Sequence, residues 1–335
     1  MSRRSPRMNR RGIGAQSGAA AAPFSGNFID IFPGALQLVQ TDLGLTYGGT
    51  MLASGTTPPV LTLSGALVGK PVPIKFTVGV TGALGVWTWL VSYDGGSTID
   101  EVGTSAAGPT PLRAGGPGNG LSVSMAAGNA ASDNVWVATC AGLADQTAGA
   151  KHYSQAGATQ QPVVTVGLGG NAGILADGVN DAMSSALALP APGTTPTWVG
   201  MVFRQITWVT AKAIVGNAAS AAHLIYSNSA SPNLRQFNAT NGPLSSLPLN
   251  TWEATEAAWT NSVADYFKRG STAAVTGTNT ANTASADRYI FGGSASAFMN
   301  VELLMLVYMA SVPSAGVIAK WRAAVTSKYG GTVSV

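Results

Sequence analysis

The stretch Pro73-Ile-Lys-Phe-Thr-Val-Gly-Val80, with Thr81-Gly-Ala83 and then Val86-Trp-Thr-Trp-Leu-Val-Ser-Tyr93, decides the fold class. Ile74, Phe76, Val78 and Val80 share one side of the first run, and Trp87, Trp89, Val91 and Tyr93 share one side of the second. A period of two is what a strand with one buried face requires. Asp94-Gly-Gly96 then closes a tight turn, since glycine accepts the positive φ that hairpin turns need.

The same pattern extends outward in both directions. Thr56-Thr-Pro-Pro59 opens it, and Val60 to Leu67, Leu121 to Met125 and Asn134 to Cys140 are further strands. Turns recur about every ten residues, which indicates a β-sandwich. Past Ala141 the predicted strands are Val163 to Val166, Ile174 to Ala176, Met183 to Leu187, Thr197 to Gln205, Ala213 to Gly216, His223 to Ser227 and Leu234 to Asn238. Thr251 to Thr260, Ala264 to Lys268, Arg288 to Phe291 and Phe298 to Tyr308 complete them. The last is apolar throughout its second half, as a strand covered on both faces would be. One helix is predicted: it starts at Pro313-Ser314, carries Val317, Ile318, Trp321, Ala324 and Val325 at helical spacing, and ends at Gly330-Gly331.

Composition sets the boundaries of function. Only 10% of the 335 residues are charged, yet 46% are hydrophobic, so a packed fold is expected rather than a disordered chain. Surfaces this poor in charge suit a subunit buried in a larger assembly. The lone cysteine, Cys140, excludes an intrachain disulfide and a cysteine-based zinc site. The apolar stretch Leu303 to Val312 is too short for the roughly 20 residues of a membrane helix. No secretion signal is visible, so synthesis in the cytoplasm is expected.

Basic charge is concentrated in one place. Arg3, Arg4, Arg7, Arg10 and Arg11 precede the first acidic residue, Asp30. Without those five, the 18 basic side chains fall to 13, against 14 acidic ones. An arm of this kind is a solvated tail, a protein-docking anchor or a nucleic-acid contact. The lack of interleaved aromatic residues and of any other basic patch disfavours nucleic acid. After the small-residue linker Gly14 to Ala22, the cluster Phe24, Phe28, Ile29, Ile31 and Phe32 suits packing on the body or on a partner. Three regions follow: an arm and linker over residues 1–33, a β-sandwich module over 34–140 and a second sandwich over 141–335.

Chemistry-bearing groups are sparse. The isolated His152 and His223 lack metal-ligand spacing and any catalytic context. Glu253 and Glu256 are the one close carboxylate pair on a strand, and a spacing of three puts them on opposite faces. Glycosidase chemistry needs two carboxylates flanking one sugar bond. No catalytic residue is therefore assigned, and a non-enzyme is expected. Asp177, Asn180 and Asp181 read first as a turn in which their side chains bind backbone N–H groups, with oxygen ligands for Ca²⁺ as the alternative; no other cofactor is implied. Trp208, Tyr226 and Trp259 are candidates for stacking on sugar rings, or for core packing.

Leu143-Ala-Asp-Gln-Thr-Ala-Gly-Ala-Lys-His-Tyr-Ser-Gln155 is similar to the opening motif of concanavalin-A-like (LamG-type) domains, though Thr147-Ala-Gly-Ala150 replaces its Ser-Gly-Asn-Gly turn. Ile174-Leu-Ala-Asp-Gly-Val-Asn-Asp181, Pro196 to Arg204, Leu249-Asn-Thr-Trp252, Ile290-Phe-Gly-Gly-Ser294 and Val301 to Gly330 resemble successive later elements. Asp42-Leu-Gly-Leu45, Ala53 to Gly65, Tyr93-Asp-Gly-Gly-Ser97 and Ala131-Ser-Asp-Asn-Val135 resemble a module of tailed-phage virion proteins that sits inside or just before the jelly roll. The resemblance implies an all-β protein: a concanavalin-A-like jelly roll, a smaller β-sandwich module and an extended N-terminal arm. It implies a virion location and a structural role in head decoration, fibre, tail or baseplate, attached through the N-terminal arm, with a carbohydrate-binding receptor module at a fibre tip as the alternative. The partners implied are other virion proteins and copies of the same chain, with a host-surface glycan as the alternative.

Overall fold

The computed structural model describes residues 26–191, 195–217, 223–227, 232–238, 241–246, 248–260, 265–277, 284, 287–292 and 298–335. The five arm arginines lie outside them. The fold is all-β, with antiparallel ladders throughout the named sheets. Among the described residues, one eight-stranded sheet runs in the order Val163–Val166, Ala172–Leu175, Val301–Met309, Thr197–Gln205, Glu253–Trp259, Asp265–Arg269, Val275–Gly277. Ala35–Gln40 pairs with the other half of Val301–Met309. A nine-stranded sheet faces it, in the order Leu45–Tyr47, Cys140–Leu143, Tyr153–Ser154, Met183–Ser185, Arg288–Ile290, Ala213–Gly216, Leu224–Ser227, Asn233–Phe237, Asn241–Ser246. Met201, Phe203, Leu303, Ile214, Ile225 and Leu234 meet in the core between them. Cys140 joins that core, where burial pushes its thiol up to about 12.

The first module is an insertion. The chain leaves the main sandwich after Leu45–Tyr47 and returns at Cys140–Leu143, its pairing partner. Between these points, Leu61–Gly65, Leu121–Met125 and Thr110–Pro111 form one sheet. Leu52–Ser54, Val135–Val137, Lys75–Val80, Thr88–Ser92 and Glu101–Thr104 form another. They enclose a separate core in which Trp87 stacks on Trp136 at 5.5 Å and Trp136 Nε1 donates to the Pro59 carbonyl at 2.8 Å. The boundary expected at residue 34 is thus corrected, because Ala35–Gln40 belongs to the main sandwich. This strand is covered on both sides, with Leu38 and Val39 entering different cores. Its buried Gln37 donates to Ser185 Oγ and the Lys151 carbonyl, and Gln40 to the Gly26 carbonyl. Buried amides remain tolerable when bonded in this way, and they hide the strand from a hydrophobicity reading.

A second layer covers the outer face of the eight-stranded sheet. The helix Ala315–Tyr329 begins where Val317 N–H donates to Ser314 Oγ and ends at Gly330, whose φ of 89° favours glycine. Its Trp321 meets Trp198 of the sheet edge-on at 5.7 Å, and Phe32 meets the same Trp198 at 5.5 Å. Phe28 stacks on Tyr329. Lys328 donates to the Gly26 carbonyl at 2.6 Å and pairs with buried Asp42 at 2.8 Å. Of the cluster predicted before Pro33, Phe28 and Phe32 therefore pack on the body, while Phe24 lies outside the described residues.

Candidate functional site

The strands Leu224–Ser227, Asn233–Phe237 and Asn241–Ser246 end the nine-stranded sheet. Ile225, Leu234 and Gln236 point into the protein. By alternation, Leu224, Tyr226, Arg235 and Phe237 occupy the outward face. The register sets Leu224 opposite Phe237 and Tyr226 opposite Arg235. Tyr226 and Phe237 meet edge to face, 5.4 Å apart at 80°. The Tyr226 hydroxyl donates to Asn241 Oδ1 at 2.9 Å. Burial raises the Tyr226 hydroxyl pKa and Arg235 opposes the rise, so it stays a neutral donor at ordinary pH. Two half-exposed rings beside a guanidinium and an amide offer both a stacking surface and hydrogen bonds to a polyhydroxyl ligand. Tyr226 was legible as a candidate; Phe237, Arg235 and Asn241 were not. The one signal in the sequence was the alternation Leu234, Arg235, Gln236, Phe237.

Two other aromatic candidates are corrected or moved. Trp259 is fully buried, with its ring edge-on to His223 at 5.2 Å, so no sugar can reach it. Trp208 is half-buried and packs on the same core. The reason is parity: Glu253–Trp259 is covered on both faces, so alternation gives no clue to which residues face inward.

Asp177, Asn180 and Asp181 form a turn. Asp177 Oδ1 accepts from the backbone N–H groups of Val179 and Asn180 at 2.7 and 3.3 Å, and Asp181 Oδ2 accepts from that of Asp177 at 2.9 Å. Among the described residues, no three His, Cys, Asp or Glu side chains converge on a metal position. Burial of Asp181 raises its carboxyl from the usual 3.8 to about 6, against the opposing hydrogen bond from the Asp177 N–H and with a smaller push from the Asp177 charge. Between those values the folded chain holds a proton that the unfolded chain has released. Stability from this group therefore falls as pH rises from about 4 to about 6. Asp181→Asn is expected to remove that dependence, read as melting midpoints of both proteins across this range. The buried His223, lowered to about 3 by burial and Arg288, acts in the opposite sense in both proteins, so their difference isolates Asp181. Identical profiles would contradict this assignment.

Three glutamates of the eight-stranded sheet are paired with arginines. Glu253 and Glu256 do lie on opposite faces. Glu253 pairs with Arg269 at 2.7 Å on the inner side, and Glu256 pairs with Arg322 of the helix on the outer side. Glu302 pairs with Arg204 at 2.6 Å. In the opening loop, Asp145 accepts from the N–H groups of Leu38, Thr147 and Lys151, which ties the loop to Ala35–Gln40.

No family model matches the chain, and no curated protein matches it. Solved structures resemble it in fold. A mutant GH54 α-L-arabinofuranosidase soaked with 4-nitrophenyl α-L-arabinofuranoside matches 90% of this chain at a TM-score of 0.50 and 12% identity. An arabinofuranosidase complexed with arabinofuranosyl-alpha-1,2-xylobiose matches the same share at 0.49 and 14% identity. Domain 4 of a GH43 extracellular arabinanase from Geobacillus stearothermophilus, complexed with arabinotriose, matches 53% at 0.35 and 14% identity. This chain spans 65% of the length of each arabinofuranosidase. The likeness corrects the expectation of a non-enzyme, because the architecture is shared with a glycoside hydrolase across nearly the whole chain. At 12% identity it extends to the fold alone, an all-β protein of stacked sandwiches.

Proposed function

We propose that this chain is a structural subunit of a tailed-phage particle, docked on its neighbours through the inserted module. One observation carries the reading. Seven of the large apolar side chains that stand exposed lie on the insertion: Leu52, Val60, Val68, Val80, Val86, Ile99 and Val102. The acidic side chains that would keep such a surface apart from others are few and engaged locally. Asp94 accepts from Ser92 and Thr98, Asp133 from Thr56, and Glu101 from Tyr93 and the Arg113 N–H. Exposed apolar side chains gathered on one module favour contact with another protein. The sequence resemblance supports the virion setting, and the root of the basic arm, clamped at Gly26 by Lys328, supports an arm that leaves the body from a fixed point. Val80→Asp with Val102→Asp is expected to weaken incorporation into particles by at least about tenfold without lowering the melting midpoint. Deletion of residues 1–22 tests the arm separately. Undiminished incorporation of the valine variant would overturn the reading.

A second reading, glycan binding on the outward face of the nine-stranded sheet, is favoured by the Tyr226–Phe237 pair. Tyr226→Ala and Phe237→Ala are each expected to weaken binding on a glycan array by at least about tenfold, equivalent to about 1.4 kcal/mol. Unchanged array profiles in both variants would exclude this surface.

A further inference from the structure

The layer over the eight-stranded sheet leaves a cleft. It lies between the first turns of the helix Ala315–Tyr329 and the strands Asp265–Arg269 and Val275–Gly277, with a volume of about 800 Å³. Its walls are apolar, formed by Val312, Ile318 and Ala319 on one side and Ala274 on the other. Its floor is charged. Glu256, only 2% exposed, is fully engaged: Arg322 Nε donates to Oε1 at 2.8 Å and the Tyr266 hydroxyl donates to Oε2 at 3.2 Å. Trp198 Nε1 in turn donates to the Tyr266 oxygen at 2.9 Å. Lys268 sits opposite Glu256 in the strand register, but its ammonium donates to the neutral Gly270 carbonyl at 2.9 Å. The floor thus holds two cations and one carboxylate, and that carboxylate is already shared between a guanidinium and a phenol. Desolvation, and then the neighbouring Arg322, lower the Lys268 pKa against a smaller opposing pull from Glu256.

We propose that this cleft binds an amphipathic monoanion, a medium-chain carboxylate in chemical class. Its hydrocarbon lies along Ile318 and Val312, and its head is held by Lys268 and Arg322. The net positive floor selects the charge and the apolar walls select the body. A second copy of the chain would need a carboxylate side chain carried on an apolar ridge to satisfy the same floor, a narrower requirement than a single small molecule meets.

The test is titration calorimetry of the full chain with octanoate, with 1-octanol as the neutral probe of equal chain length. Saturable one-to-one binding of octanoate is expected, at least about tenfold tighter than that of octanol. Lys268→Met should weaken octanoate by at least about tenfold. Thr276→Glu, on the exposed rim, should do so through added negative charge while leaving the floor intact. Both variants are first checked for an unchanged melting midpoint, and either alone suffices if the other does not fold. Absence of saturable binding at millimolar octanoate overturns the proposal, as does equal affinity for octanol. So does a dimer in sedimentation that Thr276→Glu dissociates, which would assign the cleft to a second copy.

Discussion

Arg269→Met is expected to destabilise the main sandwich by about 3–5 kcal/mol, the loss seen when one partner of a buried ion pair is removed. Arg269 and Glu253 have side chains 3% and 4% exposed and meet through two parallel bonds, Nε to Oε2 at 2.7 Å and Nη2 to Oε1 at 2.8 Å. Methionine fills much of the same space, so the loss comes from the carboxylate left behind rather than from a void. A carboxylate in that position must either stay charged without a partner or take up a proton, and both are costly. The double variant Glu253→Leu with Arg269→Met is therefore expected to recover most of the loss, since an apolar pair needs no desolvation. Urea unfolding of the two single variants and the double at pH 7 gives the coupling directly. A single-variant loss under about 1 kcal/mol would show that water reaches the pair.

Trp198→Ala should cost about 3–5 kcal/mol, the range for deleting a large buried aromatic side chain. Trp198 is fully buried and joins three elements that are distant in sequence: Phe32 before the first strand, Trp321 on the helix and Tyr266 on a neighbouring strand. Its removal leaves a cavity that rigid neighbours fill only in part, and it orphans the bond from Nε1 to the Tyr266 hydroxyl. Trp198→Phe keeps a ring without the N–H and should cost less. Phe32 anchors the end of residues 26–33 through this cluster, so limited proteolysis should cut between Phe28 and Pro33 faster in Trp198→Ala than in the native chain. A loss below about 1 kcal/mol, or unchanged proteolysis, would show that the two layers are held elsewhere.

Part of this architecture is legible in the chain itself. Ile74, Phe76, Trp87, Trp89 and Val91 alternate, and all five are buried as alternation requires. Val80, on the same predicted face, is 56% exposed, because the register shifts between Val78 and Val80 and a one-residue shift turns the next side chain outward. Asn241–Ser246 does not read as a strand because Asn241-Gly-Pro243 carries turn residues, yet it pairs along Asn233–Phe237. Of the candidate site, Tyr226 could be named from sequence. Its companions could not, since only strand register sets Phe237 and Asn241 beside it.

Local sequence alone determined the all-β class, the strand Thr197–Gln205, and the helix with its serine cap and glycine stop. These depend on periodicity and on backbone preferences that act within a few residues. Tertiary structure alone decided that Ala35–Gln40 pairs with Val301–Met309, that the first module is an insertion, and that Trp259 is core while Tyr226 reaches the surface. The physical reason is that a strand covered on both faces loses its alternation. Its partner and its inward side are then set by contacts with residues hundreds of positions away.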